Sequence, residues 1–70
     1  MPVFKLLDVI ALLKDVPKKK LIKGQVGTIV EQLDDNYYEV EFINKKGETI
    51  ALESLKGSDL FLLHFEFESA

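Results

Sequence analysis

The run Tyr38-Glu39-Val40-Glu41-Phe42 constrains the fold more than any other part of the chain, because its apolar and acidic residues alternate with a period of two. An extended strand sends successive side chains to opposite faces, so Tyr38, Val40 and Phe42 share one face and the two glutamates share the other; a helix would scatter them. Just upstream, Thr28-Ile29-Val30-Glu31-Gln32-Leu33 is rich in β-branched residues, which suit a pleated surface. The short turn Leu33-Asp34-Asp35-Asn36 between the two runs predicts an antiparallel hairpin. Asn44-Lys45-Lys46-Gly47 closes a second hairpin, with Gly47 supplying a position that tolerates positive φ. Thr49-Ile50-Ala51-Leu52-Glu53 then returns as the next strand, with Ile50 and Leu52 expected to face inward.

The two ends complete the set. Phe61-Leu62-Leu63-His64-Phe65-Glu66-Phe67-Glu68 also alternates, placing Phe61, Leu63, Phe65 and Phe67 on one face of a closing strand and His64, Glu66 and Glu68 on the other. The continuous apolar run Leu6 to Leu13 suits either a doubly buried strand or a short buried helix, and its β-branched Val9 and Ile10 favour a strand over Asp8 to Leu13. Polar breaks at Val16-Pro17-Lys18-Lys19-Lys20 and Lys56-Gly57-Ser58-Asp59 separate these ends from the middle. Five short strands in 70 residues predict an all-β fold: one small five-stranded barrel over residues 1–70, an antiparallel meander with a long loop after the first strand. Rolling the sheet up removes edges that invite aggregation. Gly24 and Gly27 fall where a bent strand turns a corner or meets a neighbour closely.

Composition narrows the classes of function. A chain of this size hides only about 60% of the surface its unfolded form exposes, so it has one simple core and no room for a lid or second lobe. With no Cys there is no disulfide, thiolate nucleophile or Cys-based zinc site, and a reducing cytoplasm is the expected location. The start, Met1-Pro2-Val3-Phe4-Lys5, lacks the basic and apolar regions of an export signal, and no apolar run approaches the roughly 18 residues of a membrane span. Nine Lys, no Arg and twelve Asp plus Glu give a net charge of -3. Nucleic-acid binders need a net-basic face, and Arg provides the fork that best grips phosphate or guanine, so this balance argues against DNA and RNA.

The order of segments carries a resemblance. Asp8-Val9-Ile10-Ala11-Leu12, then Lys23-Gly24-Gln25-Val26-Gly27-Thr28-Ile29-Val30, then Tyr38-Glu39-Val40-Glu41-Phe42 and Gly47-Glu48-Thr49, resembles an uncharacterised family of small bacterial domains, frequent in cyanobacteria, with an SH3-like barrel fold. The likeness spans nearly the whole chain. The Gly-x-x-Gly-x-[Ile/Val] element is also similar to wider SH3-like groups, including translation-associated modules that bind RNA or ribosomal protein and ferredoxin-docking accessory subunits of electron-transfer complexes. The resemblance implies the fold and transfers no catalytic residue.

Candidate binding residues follow from charge and exposure. Lys18, Lys19 and Lys20, with Lys23 nearby, are the only charge run, on the loop after the first strand, where they would meet an acidic partner or simply stay solvated. Tyr37 faces outward if the alternation holds, and an exposed tyrosine beside a turn is a frequent protein-contact anchor. The SH3-like resemblance implies a partner groove between the first loop and the second turn, which would set Lys19 or Lys20 beside Tyr37. Glu39 and Glu41 read as the wet side of a strand, and Asp34, Asp35 and Asn36 as turn residues that bond local backbone. His64, the single histidine, has no nucleophile or ligand set at a telling spacing, and Gly24-Gln25-Val26-Gly27 lacks the Lys-Ser/Thr ending of a phosphate loop. No catalytic residue, cofactor or metal is therefore expected. The reading is a non-enzymatic protein-interaction module, an accessory or antitoxin-like partner of another protein, monomeric or weakly dimeric through its last strand. Its rivals are a translation-type nucleic-acid module and a ferredoxin-docking subunit.

Overall fold

The computed structural model describes residues 4–63, which form five strands and two single-turn 3-10 helices. In chain order they are β1 (Val9–Leu12), a first 3-10 turn (Pro17–Lys19), β2 (Val26–Gln32), β3 (Tyr37–Ile43), β4 (Thr49–Lys56), a second 3-10 turn (Gly57–Asp59) and β5 (Leu60–Leu62). All neighbours are antiparallel in one sheet ordered β4-β3-β2-β1-β5. This all-β arrangement is consistent with a small SH3-like barrel. The ambiguous run at the start is a strand, pairing Ile10 with Gly27 on one side and with Leu62 on the other.

The alternation of β3 sets the core. Tyr38, Val40 and Phe42 are buried together with Ile10 and Leu12 of β1, Ile29 of β2 and Leu60 of β5. Phe4 covers one end of this core, edge-on to Tyr38 with ring centroids 5.2 Å apart. Gly27 faces the same interior, and a Cβ there would come within 2.7 Å of both the Phe42 ring and Val40 Cγ1. Only a bare backbone lets β2 pass so close to these side chains. At the second hairpin, Gly47 has φ +82, the conformation expected of it.

Two inward assignments are corrected. Ile50 and Leu52 point outward and are half exposed, while Ala51 and Leu55 are buried. The cause is the register of β4, which pairs Ala51 with Phe42, Glu53 with Val40 and Leu55 with Tyr38. Directly paired residues project to the same face, so Ala51, Glu53 and Leu55 follow β3 inward. The register shifts between Phe42 and Ile43, opposite Ile50. In β5 it is Leu60 that is buried and Phe61 that is 56% exposed, because Ala11, the partner of Phe61, projects away from the side taken by Ile10 and Leu12. Residues Phe65 and Phe67, with His64, Glu66 and Glu68, lie outside the described residues, so the proposed longer closing strand and its pairing with a second copy do too.

The two ends of the chain meet through β1, which pairs with both β2 and β5. β4 and β5 are the two ends of the strand order and do not pair; the second 3-10 turn carries the chain from one to the other. β2 bends as well, with a register shift between Ile29 and Glu31 that leaves Val30 unpaired against β3.

Leu55→Ala should cost about 2–5 kcal/mol by the loss of a buried side chain, and Leu52→Ala less than about 1 kcal/mol. Urea denaturation of the two variants, compared at equal m-value, checks the register of β4. Gly27→Ala should cost at least about 1–3 kcal/mol through crowding against Phe42 and Val40, read as a lowered denaturation midpoint.

Candidate functional site

The loop after β1 is more ordered than its charge suggests. Val16 and Leu21 exchange two backbone hydrogen bonds, of 2.8 and 3.1 Å, and Leu21 is buried, so the four residues between them form a pinned tip. Pro17 starts the first 3-10 turn, where its fixed φ suits the geometry, and Lys20 ends it in a left-handed conformation with φ 59. Lys18, Lys19 and Lys20 are all exposed on this tip. Below it, the Lys23 N–H donates to Asp15 Oδ1 at 2.7 Å and ties the two arms of the loop.

Tyr37 opens β3 on the outer face, 41% exposed and paired with Lys56. The turn before it is built by Asp34, whose Oδ1 accepts the N–H groups of both Asn36 and Tyr37 at 2.8 Å, the local backbone bonding its sequence predicts. The second 3-10 turn joins this corner to the lysine loop. Its Gly57 N–H donates to Asn36 O at 2.7 Å, while Asp59 O accepts from the Leu13 N–H at 2.8 Å and Asp59 Oδ2 pairs with Lys14 Nζ at 3.1 Å. The root of the first loop and the turn after β2 thus meet on one three-residue bridge. Among the described residues no hydrogen bond or ion pair joins Lys18, Lys19 or Lys20 to Tyr37.

A second surface was not visible as such in the sequence. On the outer face of β2, β3 and β4, Leu52 stands opposite Glu41 and Glu41 opposite Thr28, while Ser54 stands opposite Glu39 and Glu39 opposite Glu31. One step toward the β3–β4 hairpin, exposed Ile43 pairs with exposed Thr49, Ile50 stands at the register shift just before them, and the β2–β3 register carried two residues along β2 sets Val26 next to Ile43. Four large apolar side chains, Val26 (48%), Ile43 (52%), Ile50 (50%) and Leu52 (51%), are therefore left open to solvent on one face. The expectation for Glu39 and Glu41 as outward residues matches their position, though both are half-buried and Glu41 Oε2 accepts a hydrogen bond from the Thr49 hydroxyl. What the sequence hid was the apolar company they keep, since Ile50 and Leu52 read as core. The small Ala51 between them, followed by Leu55 four residues on, is the one hint of the true inward side.

Among the described residues no group of three or more His, Asp or Glu side chains is placed to hold a metal ion, and no helix is long and apolar enough to cross a membrane. Asp34→Ala should cost about 1–2 kcal/mol by leaving two backbone N–H groups without their acceptor. Faster amide hydrogen exchange at Asn36 and Tyr37, with β1 and β5 unchanged, would show that the carboxylate holds this corner.

A family model described as a domain of unknown function (DUF4926) matches residues 6–62, which takes in every strand. No curated protein and no solved structure matches the chain.

Proposed function

The chain belongs to the DUF4926 family of domains of unknown function, and from that premise we propose that it is a non-enzymatic, cytoplasmic protein-interaction module, an accessory partner of another protein. The observation that carries this reading is the outer face of β2–β3–β4, where Val26, Ile43, Ile50 and Leu52 are each about half exposed near the β3–β4 hairpin end. Large apolar side chains scattered singly over a surface are ordinary, but a contiguous set on one sheet face is the mark of a contact surface. The core beneath is a cluster of buried apolar side chains from all five strands and Phe4.

The corner built by the second 3-10 turn supports the same reading with a different chemistry. It holds Tyr37 beside Lys56 and ties the turn after β2 to the root of the loop that presents Lys18, Lys19 and Lys20. A lysine tip on a chain of net charge -3 suits an acidic protein partner better than a polyphosphate backbone, which the rest of the surface would repel.

A photo-crosslinking residue placed at Ile43 or Leu52 should capture a discrete partner in the native host, while the same residue at Lys23 should not. In parallel, RNA and DNA should bind more weakly than about 100 μM at physiological salt, below even the roughly 1–100 μM of ordinary non-specific association. Micromolar nucleic-acid affinity that falls steeply with salt, and is lost when Lys18, Lys19 and Lys20 become Gln, would establish the nucleic-acid rival instead.

A further inference from the structure

We propose that the outer face of β2–β3–β4 seats a cationic amphipathic segment of another protein, with its apolar side chains on Val26, Ile43, Ile50 and Leu52 and its Lys or Arg side chains reaching Glu31, Glu39 and Glu41. The inference rests on the interaction-module reading and adds the chemistry of the partner.

Three neighbouring rows define the seat. The first holds Val26, Ile43 and Ile50 together with Thr49, the direct partner of Ile43, and is mostly apolar; the second, Leu52, Glu41 and Thr28, is mixed; the third, Ser54, Glu39 and Glu31, is polar and acidic. The irregularity at Val30 creates the third row, because it shifts the register and sets Glu31 directly opposite Glu39. Like charges facing each other across a strand pair are unfavourable. Among the described residues the only ion pair is Lys14 with Asp59, so these three glutamates have no salt-bridge partner there. The nearest lysines along these strands, Lys45 and Lys46 in the hairpin and Lys56 at the far end of β4, stand at the borders of the face.

This charge pattern chooses the occupant. Any body that covers the apolar row also takes water from Glu39 and Glu41, which are already half-buried. A desolvated carboxylate without a cation is costly, so the covering surface must bring positive charge. Lys and Arg suit both rows at once, since their aliphatic stems lie on apolar surface while the head group reaches outward to a carboxylate. A second copy stacked by a two-fold axis on this face would set glutamates against glutamates, on a chain whose net charge is already -3. A nucleic acid would meet the same repulsion.

The test uses the full chain, isotopically labelled, and two designed helical peptides with the same leucine face, one bearing lysines and the other glutamates on its polar face. The lysine peptide should bind at least about tenfold tighter at low salt, with the difference shrinking as salt screens the charges, and should shift the amides of Thr28, Glu41, Ile43 and Leu52. The double variant Glu39→Lys/Glu41→Lys should transfer the preference to the glutamate peptide; should it not fold, Glu39→Gln/Glu41→Gln should abolish the preference while leaving weak binding. Equal binding of both peptides on this face would overturn the cationic partner and leave the face as a contact surface. No shift on this face with either peptide would overturn both readings. Concentration-dependent shifts of these same amides without any peptide would assign the face to a second copy and overturn the proposal.

Discussion

The close passage of β2 over the side chains of β3 at Gly27 is the contact on which the rest of the structure depends. Phe42 and Val40 of the neighbouring strand occupy the volume a β-carbon would need there, so the missing side chain leaves room on the inner face of β2 for the side chains of β3 to fill one small core. Ile29 and Ile10 are both fully buried in that core, and the pairing of Ile10 with Gly27 and Leu62 ties β1 and β5 to the same sheet. In a chain this short a looser bend would leave too little apolar surface covered to offset the entropy of ordering it.

Once the bend is made, the second 3-10 turn becomes the closing element. Its three residues connect two strands that do not pair, and its backbone bonds to Asn36 and Leu13 fasten the turn after β2 to the loop after β1. Gly57 is buried there against Tyr38 and Phe4. The corner carrying Tyr37 therefore follows from the fold's closure, and the exposed lysine tip is held to the barrel through Leu21 and through this bridge. The outer face has a different origin. It is what remains when β4 takes its register from β3 and turns its smaller residue, Ala51, inward at the crowded position beside Phe42.

Much of this could be read from residues alone. The strict alternation from Tyr38 to Phe42 gave the correct inner face of β3, the Asp34 turn bonds the backbone as its type predicts, and Gly47 takes the positive φ a tight hairpin requires. The strand identity of Val9–Leu12 followed from its β-branched residues. β4 was misread in face because Ile50 and Leu52 are apolar enough to be core, and a strand with apolar residues on both parities has no preferred side until a partner assigns one. The apolar surface of the candidate site was illegible for the same reason. Phe4, buried against Tyr38, precedes any periodic run and gave no pattern to read.

The sequence by itself determined that this chain forms a small all-β domain, where its hairpins turn, and which side of β3 is buried, because those properties depend on period, propensity and turn chemistry within a few neighbouring residues. Only the tertiary structure decided which face of β4 and β5 looks outward, that Glu31 stands against Glu39, and that Asn36 and Leu13 share one bridge. These depend on the exact register each strand takes against its partner and on contacts between separate turns, and a shift of one residue in a strand would exchange its inward side chains for outward ones.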